Sequence, residues 1–490
     1  MNQRMKTFIP PRSLVPALIA GLGLIQAGRV TAQSFRNLHS FTGFHTGGPG
    51  GNSPTAGLTL SGNTLFGTAS GGGSSIRGTV FKVNTDGTGF MVLHSFTALG
   101  GPLYSNSDGA NPMAGLVLLG NILYGTASAG GDSGRGTVFA VNTDGTGFTV
   151  LHSFTAATHP GIINGDGANP NGALILSGTT LYGTAVSGGS SGYGTVFTVN
   201  TNGTGFTTLH SFTNGSDGFS PKAELILSGT TLYGTTLYGG SLGGGTVFAV
   251  HTGGTGFTTL HSFEPTSSVS PYANSGGATP YAGLTLSGNT LYGTARDGGS
   301  SGIGTVFAIN TDGSGFTTLH NFTGSEDGGN PKAGFILSGN TLYGTTGGGG
   351  SSNRGTVFAV NTDGTGFKNL YSFTATPGYP PINSDGASPQ AGLILSHNTL
   401  YGTAYSGGSS GNGTVFSLGL SLPRLTITCP GTNLILTWPA AEAGWTLQSS
   451  PSLDSPMVWS PVSPGPTIVN GQNTVTTPVS GSRKFYRLSQ

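Results

Sequence analysis

Charge is scarce in this chain. Only 17 Lys and Arg and 16 Asp and Glu are spread over 490 residues, leaving a formal net charge of +1. Nucleic acids and anionic membranes attract a basic face, so a nucleic-acid or anionic-membrane binder is excluded. The single cysteine, Cys429, leaves no internal disulfide to staple the fold. Burial has to stabilise the chain instead, and its length is ample for that. The lone thiol is expected to act as a half-buried small hydrophobe, not as a nucleophile. No stretch has the apolar spacing of an amphipathic helix, and no apolar run reaches the ~20 residues that cross a bilayer as a helix. The glycines follow no strict three-residue period, which excludes collagen.

Glycine, in contrast, is abundant. Gly and Pro together make up 118 of the 490 residues, close to the ~25–30% typical of low-complexity chains. Yet 27 Phe and 15 Tyr are present, and disordered chains are poor in aromatics. A glycine-rich chain with enough aromatics for a core needs an explanation.

Residues 1–32 are read as an export signal. Arg4, Lys6 and Arg12 form a basic start, residues 14–27 a short apolar stretch, and Val30-Thr31-Ala32 a small-x-small cleavage pattern. The expected product is an exported protein, extracellular, periplasmic or at the cell surface, with no transmembrane segment after cleavage.

Internal repetition explains the composition. The tetrad G-T-V-F begins at Gly78, Gly136, Gly194, Gly245, Gly304, Gly355 and Gly413. L-[YF]-G-T begins at Leu65, Leu123, Leu181, Leu232, Leu291, Leu342 and Leu400. L-H-S-F and its variants begin at Leu38, Leu93, Leu151, Leu209, Leu260, Leu319 and Leu370. Each unit reads as four short apolar strands, a to d, joined by Gly/Asn/Asp turns, which predicts an antiparallel meander. Seven such meanders must stack to bury both faces of each sheet, so the expected fold is an all-β, seven-bladed β-propeller over residues 33–420. Residues 35–41 form an isolated strand d and residues 414–418 a strand c with no d after it. The N-terminal strand is therefore expected to complete the last blade and close the ring.

Spacing locates the variable part. The separation from strand a to G-T-V-F is 20 residues in all seven units, and from G-T-V-F to L-H-S-F it is 15 wherever both occur. The Phe ending strand d and the Pro before strand a are instead 13, 16, 16, 9, 17, 9 and 16 residues apart. In a four-stranded blade the d–a and b–c connections share one face, so ligand binding is expected on that face.

The run S-G-N-T-L-Y-G-T … G-T-V-F-x-V-N-T-D-G-T-G-F-x-x-L-H-S-F, with D-G-x-x-P before the next unit, resembles the GloVer tandem-repeat family over roughly residues 35–418. The resemblance implies an exported bacterial protein with a propeller-like array and brings no assigned activity. Gly50 and Gly276 depart from it by replacing the Asp of D-G-x-x-P, and Tyr371 by replacing His.

Few motifs carry chemistry. The repeated histidines (His39, His94, His152, His210, His261, His320) should point into separate blades, and no metal site is expected of them, because ligands must converge ~2 Å from a single ion. The N-T-D-G-T-G aspartates read as hairpin-turn residues. Asp108, Asp166, Asp217, Asp327 and Asp385 precede strand a; they read either as Asx-turn residues or as a broken ring of carboxylates for a cation, basic or sugar ligand. Glu224, His251, Glu264, Arg296, Asp297, Glu326 and His397 break the repeat but are scattered, and no nucleophile, base and stabiliser stand in register. No catalytic residue and no cofactor is read. Arg77, Arg135 and Arg354 read as solvated loop charges.

After residue 422 the composition shifts, and all three tryptophans (Trp438, Trp445, Trp459) lie beyond it. Alternating segments there predict a small β-sandwich over residues 423–490, resembling a truncated fibronectin type III module. The expected function is non-enzymatic binding of an extracellular ligand, a glycan or a surface protein, through the variable loops. A carbohydrate lyase or hydrolase with its site at the channel mouth, and a purely structural surface protein, are the alternatives.

Overall fold

The computed structural model describes residues 34–42, 50–158, 162–420, 424–439, 445–452, 458–479 and 484–489. The expected export signal lies outside them. Among the described residues no helix is long and apolar enough to cross a membrane.

Each of the seven units forms an antiparallel sheet in chain order. In the second unit Val117–Leu119, Ile122–Ala127, Thr137–Asn142 and Thr149–Ser153 pair one after another. In the third, the short strand Ala168–Pro170 adds a fifth member by pairing with Thr180–Ser187. The seventh unit supplies only three strands, Ile394–Ser396, Thr399–Ala404 and Thr414–Gly419. Its fourth position is taken by Phe35–Ser40, with Phe35 opposite Leu418 and Ser40 opposite Thr414.

The two middle strands of a sheet are buried along nearly their whole length, as strands covered on both faces must be. What covers them is the neighbouring sheet. Phe66, Val80 and Phe96 of the first sheet share a core with Leu123, Phe139 and Val141 of the second. Phe41, Tyr401 and Val415 of the seventh share one with Leu58, Leu65 and Phe81 of the first. Each fully buried Phe contributes about 1.5–3 kcal/mol, so these shared cores are the main cohesive force. A sheet taken alone would leave them in water.

Two repeat markers act at the same seams. The threonine of L-[YF]-G-T is buried and donates its hydroxyl proton to a backbone carbonyl of the next sheet. Thr68 Oγ1 reaches Ala114 O at 2.9 Å, Thr235 Oγ1 reaches Ala282 O at 3.1 Å, and Thr403 Oγ1 reaches Ala56 O at 3.0 Å. The glycine of G-T-V-F touches the proline of the next unit. A Cβ on Gly245 would lie 2.7 Å from Pro280 Cδ, and one on Gly413 would lie 2.6 Å from Pro54 Cδ, with φ near +100° at both glycines. No L side chain satisfies both conditions, which explains why this position is glycine in all seven units.

Beyond residue 424 the strands form two further sheets. One contains Thr426–Thr428, Asn433–Pro439, Gln472–Pro478 and Thr467–Val469, the other Ser460–Pro461, Thr446–Ser450 and Phe485–Ser489. Leu436, Trp438 and Val475 of the first share a small core with Leu447 of the second. Cys429 is exposed, not half-buried; the three-residue strand before it is exposed throughout, so alternation there does not measure burial.

Candidate functional site

The histidines of L-H-S-F sit between sheets. Each stacks on a phenylalanine of the next unit: His94 on Phe148 at 3.6 Å between ring centroids, His210 on Phe257 at 3.8 Å, His39 on Phe90 at 3.6 Å. Tyr371, in the place of His, stacks on Phe35 at 4.2 Å. Among the described residues no three His, Cys, Asp or Glu gather as metal ligands.

The five D-G-x-x-P aspartates complete this layer. Asp108, Asp166, Asp217 and Asp327 accept from Nε2 of His94, His152, His210 and His320 at 3.0, 2.9, 3.3 and 3.3 Å, and Asp385 accepts from the Tyr371 hydroxyl at 2.8 Å. Each also accepts the backbone N–H of the threonine that follows the strand d phenylalanine, as Asp166 does from Thr155 at 2.9 Å. Burial pushes the carboxyls of Asp108 and Asp166 up, and the hydrogen bonds more than offset this, leaving both below the usual carboxylate range. In the two units where Gly50 and Gly276 replace Asp, burial lowers His39 and His261 to about 4. The structure therefore does not gather the five carboxylates at one point; each is engaged within its own unit.

One cavity brings all seven units together. It has a volume of about 580 Å³ and is lined in every unit by the residues that follow the proline just before strand a (x-A-G in five units, N-G-A at 171–173 and K-A-E at 222–224), together with Tyr405. The position after alanine is glycine in five units, alanine at Ala173 and glutamate at Glu224. The Glu224 side chain lies along neighbouring backbone: a Cβ on Gly283 would meet its Cγ at 2.5 Å, and one on Gly334 would be 3.9 Å from its Oε1. Glu224 is exposed to the cavity, and desolvation by the neighbouring protein pushes its carboxyl above the ordinary range.

The x positions are Thr55, Met113, Asn171, Lys222, Tyr281, Lys332 and Gln390. Three consecutive ones form a polar sector. Lys222 Nζ donates to the Tyr281 hydroxyl and lies 4.2 Å from its ring centroid; Lys332 Nζ lies 5.9 Å from the same centroid. Arg296 is also 5.9 Å from it, and is held by Asp297 at 2.6 Å. The Asp297 carboxylate keeps the guanidinium charged, pushing its proton affinity still higher. Of the repeat-breaking residues, Glu224 lines the cavity and Arg296, held by Asp297, approaches the Tyr281 ring, while His251, Glu264, Glu326 and His397 are not among the lining residues. Lys222, Tyr281 and Lys332 were not among the sequence candidates. The signal for them is the most variable position of the P-x-A-G segment, occupied by Thr, Met, Asn, Lys, Tyr, Lys and Gln in turn.

Around this cavity the loops carry exposed apolar groups. Among the described residues of the seven units, thirteen of the sixteen exposed large hydrophobic side chains lie on d–a or b–c connections, Tyr379, Tyr104 and Tyr272 being the most exposed tyrosines. Only Met91, Leu119 and Ile122 lie outside them. Arg77 and Arg354, expected in solvent, are half-buried with Nε shielded.

The Gloeobacter/Verrucomicrobia repeat matches residues 20–163, 158–274 and 266–429. No curated protein matches the sequence. Among solved structures the chain is similar to an oligogalacturonate lyase in complex with manganese (10% identity, 80% of this chain and 97% of that one, TM-score 0.47). It is similar to the GH74 enzyme of Niastella koreensis (15%, 83% and 59%, 0.45) and to the oligogalacturonate lyase of Vibrio parahaemolyticus (9%, 79% and 97%, 0.43). With its succession of four-stranded antiparallel sheets, the chain has a β-propeller-like repeat fold.

Proposed function

The chain belongs to the Gloeobacter/Verrucomicrobia repeat family, and we propose that it is an exported binding protein, a closed seven-bladed propeller that presents its ligand site on the face of the variable loops. Closure is supported by the contacts that lead from the seventh unit to the first: the paired strand Phe35–Ser40, the shared core of Phe41 and Phe81, and the hydrogen bond from Thr403 to Ala56. The C-terminal pair of sheets with the Trp438 core fits a small fibronectin type III-like sandwich that aids attachment at the cell surface.

One observation carries the binding role: exposed apolar side chains are concentrated on the d–a and b–c loops and nearly missing elsewhere on the seven units. Apolar groups gathered on one surface mark an interaction site, and exposed tyrosines on rigid loops favour glycans or a surface protein. The test is to replace the four long d–a stretches (Phe-to-Pro separations of 16 or 17) by the short one of residues 213–220 and probe glycan and surface-protein arrays. Capture by the parent protein and loss in the variant is expected; unchanged capture would remove the proposal.

A second reading, a carbohydrate lyase or hydrolase at the cavity mouth, is favoured by the contact of Lys222 with the Tyr281 hydroxyl beside Glu224, since an amine–phenol pair can move a proton. Release of new sugar ends from acidic or neutral polysaccharides, lost in Lys222→Met, is its signature.

A further inference from the structure

We propose that the cavity sector of Lys222, Tyr281 and Lys332 is a binding site for a small organic anion, a ligand carrying a carboxylate, sulfate or phosphate group. This rests on the reading of the loop face as a binding face and names the ligand chemistry at its centre.

The first argument is charge. In a chain with only 17 Lys and Arg, two lysines stand two units apart on one cavity wall, with Tyr281 between them. Both ammonium groups lie near the same ring, at 4.2 and 5.9 Å from its centroid, so they are no more than about 10 Å apart. Among the described residues neither ammonium is paired with a carboxylate. The nearby Asp297 is already engaged by Arg296 through Nε at 3.0 Å and the terminal nitrogen at 2.6 Å. Glu224 is the one acidic group among the lining residues, and desolvation pushes its carboxyl above the ordinary range, which lessens its repulsion of an anion.

The second argument is access. Lys222 and Lys332 follow the two shortest d–a connections, the 9-residue Phe-to-Pro separations. The shortest loops therefore lead to the units that carry the ammonium groups, leaving least chain to cover them. The volume of about 580 Å³ suits a ligand of sugar size. The Lys222 ammonium donates to the Tyr281 hydroxyl, so the cation is pre-positioned and loses little freedom on binding.

The test is calorimetric titration of the full chain with glucuronate, glucose 6-sulfate and glucose 6-phosphate, with glucose as the neutral probe. The anions are expected to bind and glucose not to. A preference among the three identifies which anionic group the site takes. Lys222→Met and Lys332→Met should each weaken anion binding about tenfold to a hundredfold, the range of a lost charge-assisted contact, with an unchanged melting temperature serving as the check on folding. Glu224→Gln removes the one lining carboxyl and should bind at least as well as the parent. Absence of anion binding, equal binding of glucose, indifference to both lysine variants, or loss in Glu224→Gln would each overturn the proposal. If none of the anions binds the parent chain while the loop-dependent capture on arrays is seen and persists in the Lys222→Met/Lys332→Met double variant, the anion site fails and the binding face stands.

Discussion

Thr403 donates its hydroxyl proton to the carbonyl of Ala56 at 3.0 Å, across 347 residues of sequence. The same bond joins sequential sheets, for example Thr184 to Ala223 at 2.9 Å. If the seventh seam is equivalent to the others, Thr403→Val and Thr184→Val should destabilise the chain alike, by about 1–2 kcal/mol, since each leaves a buried carbonyl short of a donor. Urea unfolding measures both. A Thr403→Val variant as stable as the parent, beside a weakened Thr184→Val, would speak against closure.

Removing residues 35–41 should do more. It exposes the edge of Thr414–Gly419 and uncovers Phe81, and a bare edge strand recruits other chains. Size-exclusion chromatography should show association in place of a monodisperse peak; an unaltered elution and melting temperature would contradict the role given to this strand.

Gly245→Ala forces a Cβ into Pro280 at φ +100° and should cost about 1–3 kcal/mol. Gly62→Ala, at φ +57° with open space around it, should cost about 1 kcal/mol. Equal costs would mean that backbone conformation alone, and not the close contacts with Thr236 O (2.5 Å) and Pro280 Cδ (2.7 Å), selects glycine in G-T-V-F.

His39 and His261 are lowered to about 4 by burial, so both are neutral in the folded protein at neutral pH. In the unfolded chain they take up protons near 6.5. Folding stability therefore falls as pH drops from about 6.5 to about 4 and loses no more from these groups below that. Gly276→Asp supplies the carboxylate the other units have; an added Cβ meets Phe316 at 3.3 Å, which asks for a small shift. The His261 imidazole should then titrate about one unit or more higher by NMR, with a shallower acid loss. An unmoved titration would contradict the pairing.

Asp166 tests the alternative of a carboxylate ring for ligand. Its carboxyl is held below the usual range, so its contribution is present above about 3.9, the unfolded value, and is lost as pH falls through the folded one. Asp166→Asn should cost about 1–3 kcal/mol at pH 7 and leave ligand capture unchanged. Lost capture in a folded variant would restore the carboxylate ring.

Much of this was legible in the repeat markers. Their sevenfold recurrence and the turn residues between them predict the four strands per unit, and the missing strand d after Thr414–Gly419 predicts the pairing with Phe35–Ser40. The purpose of individual residues was not. The threonine of L-[YF]-G-T finds its acceptor about 46 residues on in the next sheet, a partner that local pattern does not reveal. Asp108 and His94 belong to separate motifs 14 residues apart, and only the turn between them makes them a pair. Lys222, Tyr281 and Lys332 are far apart in sequence and meet only because the P-x-A-G segments of all units line one cavity. Reading deviations within a constant motif, position by position, would have singled them out.

The central claim is that ligand is taken on the loop face. Tyr379, Tyr104 and Tyr272 are 90%, 71% and 54% exposed there, so replacing all three by serine leaves the cores intact. The direct measurement is capture by glycan and surface-protein arrays of the parent and of this triple variant, at matched melting temperature. Loss of capture in the variant is predicted. Retention of every interaction would contradict the account.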